Sequence, residues 1–215
     1  MQRKDVFAQG EYYHIYNRGV DKRKIFLDDF DYSRFMRMMY VCNSNQAVIF
    51  KDIADIPYQE IIRGDRLVDL GAYCLMPNHF HFLIKERAEG GISMFMKKLF
   101  TGYSMFFNKK YNRSGALFQG RFRAEHDFDD KYLNYLFSYI HLNPIRKSIP
   151  EGKIDELKLV LEMFDYSSYK DYCKKEREES CIINKEEFPD YFQSAIDFRD
   201  FINDWLVYEE YYTTN

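Results

Sequence analysis

Residues 67–85 constrain this chain more than any other stretch. Leu-Val-Asp-Leu-Gly-Ala-Tyr-Cys-Leu (67–75) and the run that begins at His79 are both rich in bulky apolar residues, and Met76-Pro77-Asn78 stands between them as a turn. Strand, turn, strand predicts a β-hairpin. On the second strand, residues 79–85, side chains two apart share a face, so His79 and His81 project together while Phe80 and Phe82 project the other way. Two adjacent imidazoles on a rigid element make a ready pair of metal ligands. The same pattern also fits two half-buried histidines on a sheet face.

The remaining segments supply partners for this hairpin. Residues 11–18 read as a first strand, ended by Gly19, and Phe30, Phe35, Met38, Met39 and Val41 recur at helical spacing over 29–42. A long amphipathic helix is expected over 91–111, with Ser93 as its N-cap and Lys97, Lys98, Lys109, Lys110 and Arg113 along it or just past it. Residues 116–123 suit a fourth strand, with Arg121 and Arg123 on one face. The order strand, helix, strand, strand, helix, strand is the α+β, ferredoxin-like (RRM-like) pattern, a four-stranded antiparallel sheet with one face available for a site. A further helix over 129–142 should end at Asn143-Pro144, because the residue before a proline is pushed out of the αR region. Beyond it come a helix over 155–164, a charged linker over 173–187 and a last acidic, aromatic-rich helix over 190–212. The expected organisation is a catalytic domain over 1–172 and an acidic, helical C-terminal extension over 173–215.

Net charge matters here only once it is divided. The overall balance is −3, yet residues 1–150 hold 23 Lys and Arg against 17 Asp and Glu, and residues 151–215 hold 8 against 17. A basic first part points to a polyanionic partner. Cys42, Cys74, Cys173 and Cys181 show no Cys-x-x-Cys spacing, which argues against a zinc ribbon or a disulfide framework. No apolar run approaches membrane-spanning length, and the N-terminus lacks the apolar core of a signal peptide, so a soluble, cytoplasmic protein is expected.

The helix over 129–142 adds a second candidate group. At about 100° per residue, Tyr132, Tyr135, Tyr139 and Asn143 fall on one stripe, beside a buried stripe of Leu133, Phe137 and Ile140. A tyrosine stripe is commonly the edge of a core. Tyr139 differs from the others in having Asn143, a side chain with a metal-capable oxygen, one turn later. One helix can thus bring a phenol and an oxygen ligand to the histidine pair together.

Four ordered phrases carry a family resemblance: Tyr13-His14-Ile15-Tyr16-Asn17-Arg18-Gly19, Leu75-Met76-Pro77-Asn78-His79-Phe80-His81, Phe118-Gln119-Gly120-Arg121-Phe122 and Tyr139-Ile140-His141-Leu142-Asn143-Pro144. They resemble those of the single-tyrosine HUH transposases (insertion sequence 200-like). The REP-associated tyrosine transposase branch is the most similar, including the Ser167-Ser168-Tyr169 that follows its catalytic helix. The resemblance spans about residues 10–172. It implies a Mg²⁺- or Mn²⁺-dependent endonuclease and strand transferase acting on single-stranded or hairpin DNA. His79 and His81 match the metal-binding histidines, Tyr139 the nucleophile that takes the 5′-phosphate, and Asn143 a polar third ligand. Lys97, Lys98, Lys109, Lys110, Arg113, Arg121 and Arg123 are the expected phosphate contacts. His14, His126 and His141 are expected to be structural or to sit behind the ligands. Two readings from other classes compete: a catalytically idle nucleic-acid binder on the same sheet, and a metallohydrolase that uses water as its nucleophile. Monomer and homodimer are equally compatible with the sequence.

Overall fold

In the computed structural model, residues 7–214 are described, apart from 48, 54, 127–128, 147–152 and 174–175. The hairpin is present as β2 (Val68–Met76) and β3 (His79–Glu86), joined by Pro77 and Asn78. β1 (Tyr12–Arg18) lies antiparallel on the other side of β3, and β4 (Arg123–Glu125) lies antiparallel on β1. The sheet order is therefore β2-β3-β1-β4. With α1 (Asp29–Cys42) after β1 and α2 (Gly91–Lys110) after β3, this is the expected ferredoxin-like arrangement.

Alternation along the strands sorts the two faces. Phe80 and Phe82 point to the face covered by the first two helices, where Phe35 of α1 and Phe95 and Phe100 of α2 pack on them. The fully buried rings among them, Phe35, Phe80, Phe82 and Phe95, each contribute about 2–3 kcal/mol of burial. The opposite face carries His79 and His81, with Tyr16 directly across from His81 and Arg18 across from His79. This face is covered by α3 (Asp130–Leu142), whose first turn is capped by the Asp129 carboxylate accepting the Tyr132 N–H at 2.8 Å.

Several local expectations are corrected. The fourth strand is short because Gly120, at φ +64°, turns the chain inside the 116–123 run. Phe118 forms only an isolated bridge with Gly19, and regular pairing resumes at Arg123. α2 begins at Gly90-Gly91, before Ser93. Its first amides are held by the buried Glu86 carboxylate, which accepts from Gly91 N–H at 3.1 Å and Ile92 N–H at 2.9 Å. The stretch 173–187 is no free linker among its described residues. It forms two 3₁₀ turns, Glu178–Ile182 and Lys185–Glu187, and Asn184 N–H donates to Leu70 O at 2.8 Å. Finally, α3 ends because Pro144 has no N–H to continue the ladder; Asn143 itself stays in αR at φ −53°, ψ −37°.

Two layers beyond α3 hold it in place. Segment 166–168 runs along the open edge of β2, through Leu75 N–H to Tyr166 O at 2.8 Å and Ser168 N–H to Tyr73 O at 3.0 Å. The helices α4 (Ile154–Met163) and α5 (Tyr169–Tyr172) flank it, and α6 (Ala195–Thr214) buries Phe198, Ile202 and Leu206. Phe198 meets His141 ring to ring, and Trp205 meets Tyr135. Among the described residues no helix is long and apolar enough to cross a membrane.

His141 is the buried tie between α3 and that edge segment. Its Nδ1–H donates to Phe137 O at 2.7 Å, and its Nε2 accepts from Ser168 Oγ at 2.7 Å, while Ser168 Oγ accepts from Tyr73 N–H at 2.9 Å. Complete burial pushes its pKa down to about 3, so the ring is neutral. His141→Ala is expected to cost roughly 2–4 kcal/mol by leaving a cavity and an unsatisfied serine. Urea unfolding checks this, and a loss under about 0.5 kcal/mol would show that the tie is dispensable.

Candidate active site

Pro77 and Asn78 set the first histidine. The Asn78 amide nitrogen donates to Lys22 O at 3.2 Å, which turns its Oδ1 toward His79 Nδ1 at 2.7 Å. That oxygen is an acceptor, so His79 Nδ1 carries the proton and its Nε2 carries a lone pair. The lone pair is aimed at another acceptor, Asn143 Oδ1, 3.2 Å away. Two lone pairs facing each other repel unless a cation lies between or beside them. Cis donors around an octahedral ion with bonds of about 2.1 Å are separated by about 3 Å, close to this spacing. The pair thus fits one edge of a metal coordination shell.

His81 sits deeper. Its Nδ1 lies 2.9 Å from His14 Nε2, and the His14 Nδ1 lies 3.3 Å from the Glu125 carboxylate. Burial, reinforced by the neighbouring His14, His79 and Arg146, holds the His81 pKa well below the usual imidazole range. A neutral imidazole is the form that ligates metal. Among the described residues, no three His, Cys, Asp or Glu side chains are grouped to hold an ion. Two imidazoles and an amide oxygen are therefore the groups that could hold an ion here. Such a mixed set suits Mn²⁺ better than Mg²⁺.

Tyr139 lies against this pair. Its ring meets His81 edge-on with centroids 5.4 Å apart and His14 with centroids 5.7 Å apart. Helical spacing carries the other two tyrosines away from the histidines: Tyr135 packs on Trp205, and Tyr132 is 40% exposed. The Arg146 guanidinium stands over the Tyr139 ring, 4.5 Å from its centroid. Tyr139, His79, His81 and Asn143 are thus brought together.

The basic residues are not. α2 packs on the phenylalanine face, so Lys97, Lys98, Lys109, Lys110 and the Arg113 that follows lie on the side of the sheet away from the histidines. Lys98 donates to the carbonyls of Ser44 and Gln46, and Lys110 is paired with Asp28 and Asp31 at 2.7 and 2.8 Å. Arg113 donates to Asn108 Oδ1. Arg121 and Arg123, expected on one face, line different cavities. Arg121 shares one of about 400 Å³ with Lys97, Phe100 and Phe122. Arg123 lines a cleft of about 510 Å³ with Tyr16, Arg18, Lys22, Gln119 and His79.

Sequence reasoning missed Glu125 and Arg146; His14, expected to be structural or to sit behind the ligands, stands against His81 without its partner having been foreseen. A signal for His14 existed: His14 and Tyr16 repeat the period-two spacing of His79 and His81, so laying the first strand beside the histidine strand stacks the rings. Arg146 is one turn beyond Asn143, and the continued αR conformation at Asn143 delivers it. His126, by contrast, stacks on Tyr13 at the far end of the sheet.

Comparison with known proteins places these residues in a wider setting. The family described as IS200-like transposases matches residues 10–143. A solved structure of a REP-associated tyrosine transposase bound to a REP hairpin superimposes with a TM-score of 0.48 at 14% identity, over 81% of this chain and 86% of that one. No curated protein matches.

Proposed function

Because the chain belongs to the IS200-like transposase family, we propose that it cuts and rejoins single-stranded or hairpin DNA through a covalent phosphotyrosine at Tyr139. His79, His81 and Asn143 would hold the Mg²⁺ or Mn²⁺ that this requires. The carrying observation is the convergence of the Tyr139 ring on His81, with His79 Nε2 facing Asn143 Oδ1. The other motifs of the REP-associated branch support the same reading.

A DNA phosphodiester resists attack because its oxygens are charged and its leaving group is an alkoxide. A divalent ion bound at this site supplies charge neutralisation and fixes the scissile phosphate. The protein supplies the rest. Tyr139 Oη loses its proton to solvent and bonds to phosphorus. The bond to the 3′ oxygen breaks, and that oxygen takes up a proton as a free 3′-OH. The 5′-phosphate stays on the tyrosine, so a second 3′-OH can reverse the step and rejoin DNA. Free tyrosine has a pKa of about 10, so few phenols are ionised at neutral pH. The Arg146 guanidinium, 4.5 Å from the ring centroid, supplies positive charge beside the reacting group.

Arg18, Lys22 and Arg123 in the cleft at His79 are placed to meet the phosphates nearest the cut. Lys97 and Arg121, beside Phe100 and Phe122, offer phosphate contact and stacking surface to a strand continuing round the sheet edge. Lys109 extends that basic surface; Lys98, Lys110 and Arg113 join it where DNA competes for their present partners. Residues 1–172 form the catalytic unit on this reading, and 173–215 brace α3.

The deciding test is capture of a covalent protein–DNA adduct on a single-stranded oligonucleotide with Mn²⁺, followed by peptide mapping. An adduct on Tyr139 is expected. A water-using metallohydrolase would cut without one, and an idle binder would do neither.

Asn143 has its own test, since alanine there harms a ligand and a helix cap alike. Asn143→Ala is expected to weaken Mn²⁺ at least about tenfold. Asn143→Asp should retain or tighten it, because a carboxylate suits a hard cation better than an amide. Mn²⁺ titration beside melting temperatures checks both, and affinity indifferent to either change would remove Asn143 from the site.

A further inference from the structure

Three-residue β4 aligns one carboxylate with one buried histidine. Glu125 is the direct cross-strand partner of His14, and their side chains meet at 3.3 Å. The other carboxylate oxygen accepts from Tyr16 Oη at 2.8 Å, so Glu125 is held from two sides despite its half-exposed position. His14 is 4% exposed and His81 6% exposed, and their rings stack with centroids 5.1 Å apart. The Nε2 of the first faces the Nδ1 of the second at 2.9 Å.

We propose that Glu125 and His14 are a positioning relay that fixes which nitrogen of His81 is offered to the metal. The inference rests on the reading of His81 as a ligand. A carboxylate only accepts, so His14 Nδ1 carries a proton toward Glu125. In a neutral His14 ring, Nε2 is then left with its lone pair. At 2.9 Å one proton lies between the two rings, and it belongs to His81 Nδ1. His81 Nε2 is therefore the nitrogen with the free electron pair. The opposite arrangement would set a bare His14 Nδ1 against a carboxylate and would put a proton on His81 Nε2, closing that nitrogen to a metal. His79 is set in the same sense by Asn78 Oδ1. Two separate acceptors, one from the hairpin turn and one from the edge strand, thus present both Nε2 atoms. Glu125 and His14 touch neither substrate nor metal; they act through His81.

The tautomer is readable without metal or DNA. Metal-free protein labelled with ¹⁵N-histidine should show His81 as a single Nδ1–H tautomer with a bare Nε2. Glu125→Leu should mix the two tautomers at His81 and weaken Mn²⁺ by about 10–100-fold. Glu125→Gln, which keeps a carbonyl acceptor, should restore a single tautomer and most of the affinity. Unchanged melting temperature in the Leu variant, together with unchanged tautomer and Mn²⁺ affinity, overturns the relay. So does an Nε2–H tautomer at His81 in the wild type. If Glu125→Leu fails to fold, the wild-type tautomer and the Gln variant still decide. Wild-type protein that binds no Mn²⁺ sinks the ligand reading, while the tautomer pattern judges the relay on its own.

Discussion

Tyr139→Phe should lose cleavage and the covalent adduct by on the order of 10⁴-fold or more, while binding single-stranded DNA within about twofold of wild type. The change deletes one hydroxyl from a half-buried ring whose contacts to His81, His14 and Arg146 are made by the ring itself. α3 keeps its cap at Asp129 and its buried face of Leu133, Leu136, Phe137 and Ile140. Chemistry is lost and the scaffold is kept. Tyr135→Phe is the control: that ring leans on Trp205, 5.1 Å away, and should retain activity within a few-fold. Gel-shift binding and adduct yield on one oligonucleotide measure both variants. Cleavage by Tyr139→Phe combined with its loss in Tyr135→Phe would mean that the nucleophile lies one turn earlier on the helix.

The histidine pair and the tyrosine stripe were legible because both depend on local periodicity, two on a strand and 3.6 on a helix. The side of the sheet taken by α2 was legible too, though less directly. Phe80 and Phe82 alternate with His79 and His81, so the helices that cover the phenylalanines must leave the histidines to another layer. Charge alone hid this, since the lysines of α2 are spaced as an exposed helical face whichever side that helix takes. Two other features were closed to local reading, one because the chain must turn between a strand and a helix to form it and the other because its partner is distant in sequence. Glu86 caps a helix from a preceding strand, and Glu125 reaches a histidine 111 positions earlier. The fourth strand was misplaced because residues 117 and 118 are as apolar as a strand requires, while Gly120 turns the chain before a ladder can form.

His79→Ala and His81→Ala should each abolish metal-dependent cleavage, and excess chelator should silence the wild type to the same baseline. Loss of either imidazole leaves an incomplete donor set, because among the described residues no three His, Cys, Asp or Glu side chains are grouped to hold an ion. The two variants should nevertheless differ in stability. His79 is half-buried at the hairpin turn, and its removal frees Asn78 and Asn143 oxygens that water can reach. His81 is buried beneath Tyr139 against His14, so His81→Ala leaves a cavity and strands His14 Nε2. That loss should cost roughly 1–3 kcal/mol more than the change at His79. Melting curves recorded in chelator separate the effects, since no metal then contributes to stability. Equal inactivity with unequal stability identifies a metal pair set at two depths in the sheet. Cleavage that persists in chelator would instead remove the ion from the reaction and leave charge neutralisation to side chains such as Arg146.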